Sequence, residues 1–237
     1  MGLLNRLRLG PEHASAGATA RAHVHAAPVA PAMPAFTPRT MRASSSLKDF
    51  LWHLDGVGRG ILLDLGPAWQ STITFFIERG FKVYTEDLLT GWKQHLTEEA
   101  EKQRALPANA TQPSPAEVAN QFLESSLQFA PGSFDAVLAW DLLDYMDGEM
   151  MRRTAERMNR MLREGGVILS MFHSKRPEQF QRYRVLDERT LELVPAPAVF
   201  PHTKTFQNRE ILELFPRFHT SKTYLGRDQL REALFVK

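Results

Sequence analysis

A chain of 237 residues with 43% hydrophobic and 10% aromatic side chains can bury one sizeable core, and is short for two full domains. It contains no cysteine, which excludes disulfides, zinc–thiolate sites, iron–sulfur clusters and thiol nucleophiles. The net charge of +2 sits in the N-terminal part, where Arg6, Arg8, Arg21, Arg39 and Arg42 face one acid, Glu12; the remainder is slightly acidic and gives no reason to expect a nucleic-acid partner.

No apolar run approaches the roughly eighteen residues of a bilayer span, and the leucines of the first ten residues are interrupted by arginine. No membrane partner is expected, and the expected location is cytoplasmic. Residues 1–45 are dominated by Ala, Pro, Thr and Ser and read as a disordered arm ahead of one domain over 46–237.

The domain opens with a helix near Ser45, because Leu47, Phe50, Leu51 and Leu54 recur at helical spacing before Gly56. Residues 60–66 (GILLDLG) form an apolar run closed by a carboxylate and a glycine, the pattern of a strand buried on both faces. A helix over 71–79 and a strand over 81–87 (FKVYTED) complete a parallel crossover. A further helix is expected over 91–104, and 116–126 reads as a helix with or without a short strand after it.

Residues 134–140 (FDAVLAW) form another buried strand, and an amphipathic helix follows with Met151, Ala155, Met158 and Leu162 as its core stripe. Gly165 and Gly166 then turn the chain into a strand over 167–173. Two extended segments follow within 182–194, a helix starts at Asn208, and two strands over 218–225 and 231–237 close an antiparallel hairpin. This order predicts a doubly wound α/β fold, mostly parallel with an antiparallel C-terminal strand.

In such a sheet ligands lie beyond the carboxyl ends of the strands, so Asp64, Gly66, Glu86, Asp87, Asp141 and Asp144 are the residues to weigh. Asp87 is placed to accept from both hydroxyls of a ribose, which a carboxylate can do because both groups are donors. The order of elements and four sequence words resemble the class I S-adenosylmethionine-dependent methyltransferases, in particular the branch called methyltransferase type 11. The words are ILLDLG, KVYTED, LQFAPGSFDAVLAW and MNRMLREGGVILS. The resemblance implies S-adenosylmethionine as cofactor, a small-molecule acceptor, and Asp64, Gly66, Pro67, Glu86, Asp87, Ser125 and Asp141 as cofactor-binding positions.

Where the family continues with glycines after Gly66, this chain has Pro67, Ala68, Trp69 and Gln70, so backbone donors are lost and Trp69 offers a ring to fill the space. That departure supports a second reading, a degenerate binding or scaffold module that keeps the fold. A nicotinamide-dependent oxidoreductase would need a fuller glycine fingerprint and ranks below both. Candidate catalytic groups are Asp141, Asp144, Tyr145 and His173, and the rings of Trp140 and Tyr145 could stack on adenine or face a sulfonium. No metal site is expected, because no histidine shows ligand spacing to another or to a carboxylate.

Overall fold

The computed structural model describes residues 40–107 and 109–237, with the backbone alone at 220 and 221. The expected arm over 1–45 otherwise lies outside the described residues, and its last part departs from expectation: Thr40–Ala43 is a strand, β1. Its ordering comes from contacts far along the chain. Arg42 pairs with Asp228 at 2.6 Å and with Glu232, while the Ser44 hydroxyl (2.9 Å) and the Ser46 amide (2.7 Å) donate to the same buried Glu232 carboxylate.

Helix α1 (Ser45–Leu54) follows, its first turn capped by the Ser44 hydroxyl, which accepts from the Leu47 amide. Then come β2 (Ile61–Asp64), α2 (Gln70–Ile77), β3 (Lys82–Thr85), α3 (Leu88–Ala105) and α4 (Pro115–Ser126). Strand β4 (Phe134–Trp140) is buried at every position, and its exit is a short 3-10 turn over Leu142–Tyr145. The chain continues through α5 (Gly148–Met161), β5 (Leu162–His173), β6 (Gln181–Val185), β7 (Thr190–Pro195), α6 (Asn208–Leu214), β8 (Thr220–Leu225) and β9 (Leu230–Val236).

Among the described residues, one sheet runs in the order β3-β2-β4-β5-β9-β8. Its first four strands are parallel, and β9 is antiparallel to both of its neighbours. A second, antiparallel sheet has the order β1-β7-β6. One face of the main sheet packs on α3, α4 and α5 through residues such as Leu88, Phe122, Met158 and Phe235. The other face packs on α1, α2 and the small sheet through Phe50, Phe76, Tyr183 and Leu191. Burial on both faces is why β2, β4 and β5 read as unbroken apolar runs.

Three local expectations change. The buried stripe of α5 is Met150, Thr154, Ala155, Met158 and Met161, so Met151 lies at its margin. Strand β5 begins at Leu162, before the glycine pair, with a shift of register against β4 between Phe134 and Ala136. No strand follows α4 among the described residues: Ser125 sits in its last turn and donates its hydroxyl to the Phe122 carbonyl at 2.8 Å.

Candidate active site at the carboxyl ends of the strands

Strand order reverses between β2 and β4, and the loops leaving β2, β3 and β4 meet at that point, where a doubly wound sheet places its ligand. Asp64 ends β2 and is 1% exposed. Its Oδ1 accepts from the Trp140 indole at 2.6 Å and from the Gly66 amide at 3.0 Å, while its Oδ2 has no partner. Burial pushes this carboxyl up to about 6, against the opposing effect of the two hydrogen bonds.

A Cβ added at Gly66 would lie 2.8 Å from the Trp140 ring, so the glycine is required by close packing of that indole. Trp140 itself has φ +48°, a left-handed conformation that ends β4, and its ring stacks on Tyr183 with centroids 5.6 Å apart and an interplanar angle of 8°. The space beside Gly66 is therefore filled by Trp140 and Tyr183. Trp69 lies instead under the Arg184 guanidinium, 5.2 Å from its ring centroid, which corrects the expectation that Trp69 would fill it. Pro67 lies half-buried in the same loop and offers no amide donor.

Glu86 and Asp87 follow β3. The Glu86 amide donates to the Asp64 carbonyl at 2.8 Å, and burial followed by the charge of Asp87 raises the Glu86 carboxyl above its usual range. Asp87 caps α3 through the Thr90 amide and hydroxyl. Both of its oxygens also accept from Arg182 of β6, at 3.0 and 3.1 Å, a forked ion pair. The acid read as the ribose ligand is thus held by an arginine of the chain itself.

The candidate catalytic residues Asp141, Asp144, Tyr145 and His173 are brought together beyond β4 and β5. Asp144 is fully buried, and its Oδ2 accepts from the His173 amide at 2.6 Å and lies 2.8 Å from the His173 Nδ1. Asp141 lies on the other side, with its Oδ2 3.8 Å from the same nitrogen and accepting from the Tyr183 hydroxyl at 3.1 Å. Burial pushes the Asp141 carboxyl up to about 7, with the His173 charge opposing and Asp144 adding to the rise. Burial alone would lower His173, but its hydrogen bond to Asp144 and the charges of both aspartates outweigh that, and its pKa is raised.

His202 joins this cluster and was not singled out in the sequence. Its neighbour Thr203 donates its amide (2.9 Å) and hydroxyl (2.7 Å) to the Asp144 carbonyl, which fastens the loop after β7 over the 3-10 turn. The His202 Nε2 then lies 3.8 Å from the Asp144 Oδ2, and Tyr145 packs edge-on against His202 at 5.6 Å. Asp144, His173 and His202 each turn one ligand-type atom into a common space, all within 4.8 Å of one another. No histidine showed ligand spacing in the sequence; the fold brings these three groups together from separate elements. The missed contributors, Arg182, Tyr183 and His202, all come from the excursion between β5 and α6, where the sequence signalled two extended segments and a basic, proline-punctuated composition but no site residue.

The sequence pattern of the family described as "Methyltransferase domain" matches residues 63–170. No curated protein matches the chain. Among solved structures, a Burkholderia thailandensis 1,6-didemethyltoxoflavin-N1-methyltransferase, bound to 1,6-didemethyltoxoflavin and S-adenosylhomocysteine, is 17% identical. The match covers 81% of this chain and 76% of that one with a TM-score of 0.43. A Methanosarcina mazei S-adenosylmethionine-dependent methyltransferase is 18% identical over 76% of this chain and 93% of that one, TM-score 0.42. A glycopeptide N-methyltransferase complexed with S-adenosylmethionine is 15% identical over 81% and 92%, TM-score 0.40. Likeness at this level carries no conclusion about acceptor or activity.

Proposed function

We propose that this chain, whose residues 63–170 match the pattern of a methyltransferase domain, transfers a methyl group from S-adenosylmethionine to a small-molecule acceptor, with its cofactor cleft shut by β6 until the cofactor arrives. The observation that carries this reading is the convergence of Asp64, Gly66, Glu86 and Asp87 at the ends of two adjacent parallel strands, at the reversal of strand order. These residues fit the cofactor in kind. Asp64 keeps one buried carboxylate oxygen without a partner, and Glu86 and Asp87 supply the acceptors that a ribose requires. Asp87 would hold the ribose hydroxyls in exchange for Arg182, with Glu86 beside it, and Asp64 and Gly66 would line the methionine end.

S-adenosylmethionine, when bound, supplies an electrophilic sulfonium methyl. The chain's own task is then alignment, since an in-line displacement gains most of its acceleration from holding both reactants in place. Trp140 and Tyr183 exclude water from the strand ends. Asp141, buried beside the acid–histidine cluster and held by Tyr183, is the proton acceptor of this reading where an acceptor needs one.

One observation favours the scaffold reading: Arg182 and the Trp140–Tyr183 stack already complete the cleft from within. Calorimetric titration of S-adenosylhomocysteine into the wild type and into Asp87→Ala separates the two. Binding to the wild type that is lost in the variant supports the enzyme; no binding to either leaves a methyltransferase-shaped module.

A further inference from the structure

The cluster of Asp144, His173 and His202 has more ligand atoms than the protein uses. Two side-chain atoms of the cluster lack any hydrogen-bond partner while being buried, the His202 Nε2 and the Asp144 Oδ1, and so does the hydroxyl of Tyr145, whose ring packs edge-on against both histidines. Buried polar atoms are nearly always paired, and one orphan can be tolerated. Two in one cluster mark a space built for something that answers them.

The arrangement limits what that is. Two buried carboxylates, Asp141 and Asp144, face the space, and among the described residues their basic neighbours are the imidazoles of His173 and His202, with no lysine or arginine in contact. A cation is therefore favoured over an anion or a neutral group. The donors are two imidazole nitrogens and one carboxylate, a set that suits divalent first-row transition ions and not magnesium or calcium, which take oxygen ligands. Separations of 2.8 Å from the His173 Nδ1 and 3.8 Å from the His202 Nε2 to the Asp144 Oδ2 bracket the roughly 3.4 Å between ligand atoms lying about 2.1 Å from a tetrahedral ion.

The supporting contacts are those a metal site needs. The His173 amide fixes the Asp144 carboxylate, Thr203 fixes the turn and the loop that carries His202, and Asp141 stands behind His173. Of the three residues, His173 also lines a groove of about 670 Å³, together with Lys175, Gln181 and Asp228.

We infer that Asp144, His173 and His202 form a binding site for one divalent transition-metal ion of the zinc type, with a fourth position open to water or to an oxygen ligand. The site stands on its own geometry, so it and the methyl-transfer reading fail independently. The test uses the full chain, freed of metal with a chelator and then titrated with Zn²⁺ by calorimetry and with Co²⁺ by visible absorption.

The wild type should bind one ion per chain, with the intense Co²⁺ bands of a four-coordinate site. His202→Gln and Asp144→Asn, each shown folded by circular dichroism, should weaken binding at least about tenfold. His219→Ala, an exposed histidine elsewhere, should leave it unchanged. Absence of stoichiometric Zn²⁺ binding by the wild type, or binding that neither ligand variant weakens, overturns the assignment. If one variant fails to fold, the other decides.

Discussion

The two acidic clusters at the carboxyl end of the sheet differ in what answers them. Beyond β2 and β3, both oxygens of Asp87 are taken by Arg182, and one oxygen of Asp64 by Trp140. Beyond β4 and β5, Asp144 and His202 converge and still leave an oxygen and a nitrogen unanswered. The first cluster is closed by the chain except at the Asp64 Oδ2, and Arg182 must give way for it to act; the second is tied together by the Asp144–His173 bonds yet leaves the Asp144 Oδ1 and the His202 Nε2 unpaired. A site that must exchange an internal contact for a ligand binds more weakly by the cost of that contact, whereas an under-coordinated site gains by filling.

The largest expected effect breaks the closed cluster. Tyr183 is 2% exposed, stacks on Trp140 and donates to Asp141, so Tyr183→Ala removes a core ring and leaves Asp141 without that donor. A loss of about 3–5 kcal/mol in urea unfolding is expected. A loss under 1 kcal/mol would mean that the stack does not hold the cleft shut.

Asp64→Asn is next. An unfolded aspartate ionises near 4, while folded Asp64 keeps its proton to about 6, so the folded state binds more protons in that window. Stability from this group therefore falls as pH rises from about 4 to 6 and is level above, a change on the order of 2–3 kcal/mol. Asparagine keeps the acceptor for Trp140 and removes the ionisation. Thermal melts of the variant should lose that part of the pH dependence and be higher than the wild type above pH 6; an unchanged profile would assign the dependence elsewhere.

The smallest effect is expected at the second cluster. In metal-free protein, His202→Ala deletes a mostly buried ring that packs against Tyr145 but whose Nε2 bonds to nothing, and should cost about 1–2 kcal/mol in urea unfolding, less than Tyr183→Ala. A loss as large as that of Tyr183→Ala would show that His202 is a structural keystone, and the contrast between the clusters would vanish.

The parts of this arrangement that were legible in the sequence are those written in local pattern. Strands β2, β4 and β5 are apolar runs because helices or the second sheet cover both faces, and parallel strands carry their carboxyl ends to one side. That is why Asp141, Asp144, Tyr145 and His173, chosen as strand-end residues, meet in space. Strand β1 was not legible, because Thr40–Ala43 owes its order to pairing with β7 and to Glu232, almost two hundred residues away. Arg182 and Tyr183 lie on a segment read as extended and His202 on a loop, but their roles were not legible, because their partners Asp87, Asp141 and Asp144 precede them by 95, 42 and 58 positions.

In the proposed function Arg182 is a replaceable occupant of Asp87, the acid read as the ribose ligand. The most direct measurement is the affinity of S-adenosylhomocysteine for Arg182→Ala beside the wild type, by calorimetry at one pH and salt concentration. Removing a competing pair that is partly exposed should tighten binding several-fold, up to about tenfold. Equal or weaker binding in Arg182→Ala would contradict the exchange, and no binding in either protein would contradict the cofactor site itself.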